Sequence, residues 1–185
     1  KKIEDAISDY KKAISIDKNN YNAFFNLGNL YKEINKLDES IENLSEAIKI
    51  NKNFYNAYHN RAVVKRLLFR FEDAIKDFDE ALKINPKYFD SIFFKAITQL
   101  KIGDYENGWK NYEYRWETTN FPSPKRKFIQ PCWNGTDNLN DKIILLHGEQ
   151  GLGDNIQFVR YFNLVKSKAK KVILQVNKKL VRLFK

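Results

Sequence analysis

Cysteine is almost absent from this sequence: Cys132 stands alone among 185 residues, so no internal disulfide can form. Histidine is nearly as scarce. His59 and His147 lie far apart in the chain and neither sits in a cluster with metal-ligand spacing, so no metal, cofactor or redox chemistry is expected. Long apolar runs are missing as well. Segments such as Ile143 to Leu146 and Val172 to Leu174 fall far short of the roughly 20 residues that span a bilayer, and no signal-peptide pattern opens the chain. A soluble, cytoplasmic protein is the expectation. The opening segment reads as the second half of a helical repeat, which predicts a piece of a longer protein whose upstream part would be unseen.

Carboxylates are missing from the C-terminal segment. After Asp154 there is none, whereas Arg160, Lys166, Lys170, Lys178 and Arg182 are among the cations that follow, and they supply much of the net charge of +10. A solvated lysine face accounts for such a run. Weak contact with anionic membrane, or with a phosphorylated substrate, is the alternative. Nucleic acid is not expected as a partner, because no reader motif accompanies the lysines.

What is present is a core and a period. The hydrophobic fraction of 43% suffices for a folded domain. Shifting the chain by about 34 residues aligns Ala13 with Ala47 and Ala81, Ile16 with Ile50 and Ile84, and Tyr10 with Leu44, Phe78 and Tyr112. In the clearest copy Phe24, Leu27, Gly28 and Tyr31 share one helical face, and Ser40, Leu44 and Ala47 fall on the next helix. The small Gly28 marks a close approach of two backbones. A second copy runs through Tyr58, Ala62, Ala74, Phe78 and Ala81 to Pro86, and a third through Ile92, Ala96, Gly103, Gly108 and Tyr112. This spacing resembles tetratricopeptide repeats, and it predicts a partial repeat over 1–20 and full repeats over 21–54, 55–88 and 89–117.

Such hairpins must stack to bury their open apolar faces, and the stack offers a groove lined by the first helix of each. Asn26 and Asn60 occupy equivalent columns there, where an amide could pair with the backbone of a bound peptide or protein. The arrangement resembles the asparagine ladder of protein O-linked N-acetylglucosamine transferases, although the third copy has Phe94 in that column. Ordinary exposed asparagines in an Asn-rich chain are the other reading.

Beyond the third copy the pattern changes. Trp109, Tyr112 and Trp116 crowd into one segment and are expected to cover the end of the solenoid against a following domain. Residues 118–141, with Pro122, Pro124, Pro131 and Asn134-Gly135, read as a strap without period. Residues 142–185 then alternate: an apolar run from Ile143, a glycine-bearing turn, a helix from Ile156 to Lys166, a second apolar run from Val172 to Val176, and a final helix from Lys178. That order predicts a βαβ unit with parallel strands.

The turn His147-Gly148-Glu149-Gln150-Gly151-Leu152-Gly153-Asp154-Asn155 lies between a strand and a helix start, a place where backbone N–H groups can meet a phosphate. Its glycines are ordered G-x-x-G-x-G rather than G-x-G-x-x-G, and no acidic residue ends the second strand. A nicotinamide or flavin site is therefore excluded. Nor is there a G-K-[ST] to make a P-loop.

Three strings together carry a family resemblance: Gly108-Trp109 with Tyr112-Glu113-Tyr114-Arg115-Trp116, Pro131-Cys132-Trp133-Asn134-Gly135, and Leu145 through Tyr161. They resemble bacterial tetratricopeptide-repeat proteins fused to a heptosyltransferase-like glycosyltransferase of the GT-B type. The resemblance implies a mainly α chain: a repeat solenoid followed by the first βαβ part of a Rossmann-like domain. It also implies a nucleotide-sugar donor, held chiefly by a second Rossmann-like domain beyond this sequence. Asp154 matches the position of a carboxylate that acts as base on the acceptor hydroxyl, with His147, Gly148, Glu149, Gln150, Gly151, Gly153 and Asn155 around acceptor or donor phosphate. Asp154 could equally serve as a helix cap.

Overall fold

The computed structural model describes residues 2–119, 121–123, 125–149 and 151–184. The chain forms two compact units, Lys1–Phe121 and Pro122–Lys185.

The first unit is a run of antiparallel helices: α1 (Lys2–Ile16), α2 (Tyr21–Glu33), α3 (Leu37–Ile50), α4 (Tyr55–Leu67), α5 (Phe71–Ile84), α6 (Phe89–Lys101) and α7 (Tyr105–Tyr112), the last continued by a 3-10 turn over Glu113–Glu117. Pairs α2/α3, α4/α5 and α6/α7 are the tetratricopeptide-type hairpins. Each helix packs on its chain neighbours, and α4 also touches both α2 and α6. The first helices of the hairpins therefore form one rank, as a stacked repeat requires.

Small residues set the distance within each hairpin. Ser40 Oγ donates to the carbonyl of Gly28 at 2.7 Å, and both residues are buried. A Cβ on Gly28 would lie 2.8 Å from Leu44 Cγ and 3.2 Å from the Ser40 carbonyl oxygen, so a side chain there would push the two helices apart. In the second hairpin Ala62 and Ala74 take these places, both fully buried and packed with Phe78. In the third they are Ala96 and Gly108, and a Cβ on Gly108 would meet the backbone N of Leu100 at 3.1 Å.

The turns inside the hairpins repeat just as strictly. Asn35 (φ 59°), Phe69 (φ 59°) and Gly103 (φ 88°) each follow the first helix in a left-handed conformation. The next amide then reaches back over the helix end, from Lys36 N to Tyr31 O, Arg70 N to Lys65 O and Asp104 N to Gln99 O, at 2.8 to 3.0 Å. This closes the orphan carbonyls of a helix C-terminus. Phe69 is a costly residue for that conformation, and its ring lies against Phe71 at 5.9 Å.

Aromatic rings join one repeat to the next. Phe54 packs on Tyr21 and Phe25 at 5.1 and 4.8 Å. Tyr88 does the same to Tyr55 and His59, at 5.1 and 4.9 Å. The third hairpin covers its corresponding residues with the chain that follows it. Phe89 stacks on Tyr114 at 5.9 Å, and Phe93 meets Tyr112 and Phe121 at 5.5 and 5.7 Å. Trp116 completes the cover through Phe121. Arg115 is buried between the rings of Tyr112 and Trp116 and donates to Glu113 at 2.8 Å. Trp109 departs from the expected cover, lying 56% exposed with its ring edge to Tyr112.

In the second unit β1 (Ile143–His147) and β2 (Lys171–Gln175) pair in parallel, Ile143 opposite Lys171 through His147 opposite Gln175. Between them run α8 (Leu152–Phe158), a 3-10 turn at Val159–Tyr161, and α9 (Phe162–Lys166). The helix predicted from Ile156 thus begins earlier and breaks once, at β-branched Val159, in a stretch where Phe158, Tyr161 and Phe162 also have low helix preference. The helix predicted from Lys178 is only a 3-10 turn, Lys178–Leu180, started by Asn177 accepting from Lys179 N at 3.0 Å. Ile143, Leu145 and Ile173 stay exposed on the strands. No described helix is long and apolar enough to cross a membrane.

Gly28→Ala should destabilise the chain by about 1–3 kcal/mol through overpacking against Leu44. Gly153→Ala, where an added Cβ meets nothing within 4 Å, should be neutral or better. Denaturant midpoints of the two variants check this, and equal midpoints would refute the close-approach role of Gly28.

Candidate functional site

The rank α2, α4, α6 lines the face that a stacked repeat offers to a ligand. Asn60 on α4 donates through Nδ2 to Asn29 Oδ1 on α2 at 2.7 Å. The sequence pointed to Asn26 instead, one helical turn earlier, and Asn26 makes no such pair. Contact between the two helices is staggered by a turn, which equivalence of columns within each hairpin does not reveal. The pair leaves the Asn29 Nδ2 donor and the Asn60 Oδ1 acceptor without partners among the described residues. Both residues are half-buried, at the edge of solvent.

Cations accompany the amides. Arg61 is held twice by Asp77, at 2.8 Å from both Nε and Nη2, and once by Ser45, while Lys65 reaches the same carboxylate at 2.7 Å. Lys95 is paired with Asp79. Arg66 differs: its guanidinium lies over the ring of Phe94 at 5.3 Å, and its buried Nε has no hydrogen-bond partner among the described residues. Burial lowers its pKa from the ordinary arginine value.

His59 stands where the neighbouring repeats have Phe25 and Phe93. It is 7% exposed, enclosed by the rings of Phe78, Tyr88 and Phe94 at 4.9 to 5.5 Å, with Nδ1 2.8 Å from Ser91 Oγ. Burial, with a smaller push from the charge of Lys32, lowers its pKa to about 4. It is therefore a neutral wedge between repeats. The sequence signal for it was the aromatic column, visible only once the period is read beyond its small residues.

In the second unit the predicted residues gather around the end of β1. His147 packs on Phe128 at 5.2 Å, and its buried Nδ1 has no partner among the described residues. Gly148 lies so close to the side chain of Asn155 that a Cβ would fall 2.0 Å from Asn155 Oδ1. Asn155 Nδ2 in turn donates to Gly151 O at 2.8 Å, folding the turn back on the helix start. Arg126, which sequence reasoning did not single out, donates to Gly148 O at 3.1 Å and to Gln175 Oε1 at 2.5 Å, and Ser123 Oγ donates to Glu149 O at 3.5 Å. Gly151 is the N-cap of α8 and no side chain caps it. Asp154 lies in the first turn, exposed, as does Gly153. Gln150 lies outside the described residues. No group of three or more metal-ligating side chains occurs among the described residues.

Residues 1–35 and 28–65 match a family model described as TPR repeat, and residues 55–88 one described as Tetratricopeptide repeat. No curated protein matches the chain. Among solved structures it is similar to MamA, at 23% identity and a TM-score of 0.58 over 60% of this chain and 66% of that one. It is also similar to the first TPR of Spaghetti (RPAP3) bound to an HSP90 peptide, at 23% identity and 0.53 over 55% and 80%. A third is YrrB, a TPR protein with an unusual peptide-binding site, at 19% and 0.52 over 58% and 54%. The chain spans just under two thirds of the MamA structure. At these identities the likeness is one of fold.

His59 makes stability depend on pH. Its folded pKa of about 4 lies below its ordinary 6.5, so the unfolded chain takes up the proton first. Stability is full above pH 6.5 and should fall as pH drops towards 4, by about 3 kcal/mol in all. His59→Phe should flatten that window of the stability profile measured by denaturant titration, and an unchanged slope would remove His59 as its source.

Proposed function

Starting from a chain whose residues 1–88 are tetratricopeptide repeats, we propose that its first unit grips an extended peptide segment of a protein partner, and that its second unit begins a GT-B glycosyltransferase acting on that partner or on a glycan. The observation that carries the peptide reading is the Asn29–Asn60 pair. It presents one donor and one acceptor side by side at the surface of the inner rank, the complement of a peptide group in an extended backbone. The HSP90 peptide bound to the first TPR of Spaghetti and the peptide-binding site of YrrB lend it support.

The transferase reading rests on the three motif strings, on the parallel βαβ order, and on the exposed Ile143, Leu145 and Ile173, apolar strand residues of the kind that further layers of a Rossmann-like sheet cover. Within it, Asp154 is the base that takes the proton of an acceptor hydroxyl: an exposed carboxylate in the first turn of a helix, with no ion pair among the described residues. His147 and Glu149, with the backbone of Gly148, Gly151 and Gly153, surround acceptor or donor phosphate, Asn155 braces the turn, and Gln150, outside the described residues, is a further candidate to orient the phosphate. The donor is a nucleotide-sugar, no metal or organic cofactor takes part, and the setting is cytoplasmic and bacterial. The basic C-terminal segment adds at most a weak contact with anionic membrane. A scaffold that binds peptide without catalysis is the second reading, favoured by the paired amides alone.

Two experiments test these readings. Asn29→Ala with Asn60→Ala should weaken capture of arrayed peptides about tenfold or more, whatever their sequence, with helicity by circular dichroism unchanged. Unchanged capture would sink the peptide reading. In the full-length protein Asp154→Asn should leave donor binding intact and lower sugar transfer by roughly two orders of magnitude or more, and undiminished turnover would remove Asp154 from the base role.

A further inference from the structure

The inner and outer helices of the repeats carry opposite charge. On α2, α4 and α6 the cations are Lys32, Arg61, Lys65, Arg66, Lys95 and Lys101, against the carboxylates Glu33 and Asp90 alone. On α3 the balance is reversed, with Asp38, Glu39, Glu42 and Glu46 against Lys49, and α5 follows the same pattern. Internal pairing then removes Arg61, Lys65 and Lys95 from the inner set. Among the half-buried cations, Lys32 and Arg66 are left with no ion pair among the described residues, and they occupy the same column of successive repeats.

A guanidinium whose Nε is out of contact with water and has no acceptor loses hydrogen bonding that the unfolded chain enjoys. The ring of Phe94 beneath it replaces part of that loss and fixes the plane of the group. So held, Arg66 presents the rest of its fork to a carboxylate. Lys32 adds a second charge one repeat away, on the helix that also supplies Asn29.

We propose that the groove selects peptides bearing acidic side chains, one carboxylate meeting Arg66 over Phe94 and another meeting Lys32, while the Asn29–Asn60 pair, towards the N-terminal ends of the same two helices, holds the adjoining backbone. The inference rests on the peptide reading above and adds the chemistry of the partner. Packed helices lie about 8–10 Å apart, and a polyproline-type extended chain returns to the same face every third residue after about 9 Å. Glutamate or aspartate at every third position is the preferred pattern.

The probe is a labelled peptide of about twelve residues, acetylated and amidated so that no terminal charge contributes, with Glu at every third position among Ala and Pro. Its Gln counterpart and an isomer with the same Glu residues clustered at one end are the controls. Fluorescence anisotropy with the 185-residue chain should show the spaced Glu peptide binding about tenfold tighter than either control, with a loss of preference at high salt. Arg66→Gln should remove most of the difference between the Glu and Gln peptides without weakening the latter, and Arg66→Lys should restore part of it. Thermal melts should show Arg66→Gln still cooperatively folded, since among the described residues its side chain loses only the contact with Phe94.

Equal binding of Glu and Gln peptides, both dependent on Asn29 and Asn60, would overturn the acidic preference and leave the peptide groove standing. No binding of any peptide would overturn both. Tighter, Arg66-dependent binding of a single-stranded oligonucleotide would overturn the proposal by assigning the surface to phosphate backbones.

Discussion

Every hairpin in the first unit depends on one constraint: two helix backbones must approach until only glycine, alanine or serine fits between them. Gly28 against Ser40, Ala62 against Ala74 and Ala96 against Gly108 are three solutions to that constraint. Once the helices are that close, Leu44 and Phe78 reach full burial, and dispersion from a dense interior follows. Close approach also fixes how each first helix meets the next repeat. The aromatic contacts of Phe54 and Tyr88, and the terminal cover by Tyr112, Tyr114 and Phe121, occupy places that a looser hairpin would not bring together. The groove is the other side of the same geometry, because residues that do not face the partner helix are the ones left on the inner rank.

The repeated columns of alanine and large apolar residues made the helices and their pairing legible before any coordinates, since a core position constrains residue type in every copy. The turns were less so. Gly103 announces a left-handed residue, but Phe69 does not; the helix end behind it imposes that conformation against the preference of the side chain. The staggering that brings Asn29 rather than Asn26 to Asn60 depends on how two helices a repeat apart meet, and no spacing within one repeat encodes it. In the second unit the parallel strands followed from their apolar runs. The break at Val159–Tyr161 and the short turn at Lys178–Leu180 did not, because both depend on weak local preferences in a unit with little buried core.

The candidate site residues divide in the same way. The turn after β1 was visible because its glycines are unusual at close spacing, and Gly148 indeed has no room for a side chain beside Asn155. Its brace, Arg126, comes from a stretch without any period, so nothing in the sequence tied it to Gly148 and Gln175. His59 was hidden for the opposite reason. A lone histidine suggests chemistry, yet burial among three rings keeps it neutral and makes it a packing residue.

Departures from the period are informative because the core columns scarcely depart at all. Two columns of the inner rank change chemistry from one repeat to the next: Asn26, Asn60 and Phe94 in one, Lys32, Arg66 and Leu100 in the other. On α6 the last of these columns turns to packing, since Leu100 lies against Gly108 at the close approach of the third hairpin. Read along the rank, the surface passes from amides and cations on α2 and α4 to aromatic and aliphatic residues on α6. Arg66 over Phe94 lies where the two meet. A chain laid across that rank would meet charge and hydrogen-bonding groups first and apolar surface second, so an unsymmetrical segment has one favoured direction. A solenoid of identical repeats would offer several equivalent registers along its inner rank, and the differing side chains of these columns remove that equivalence.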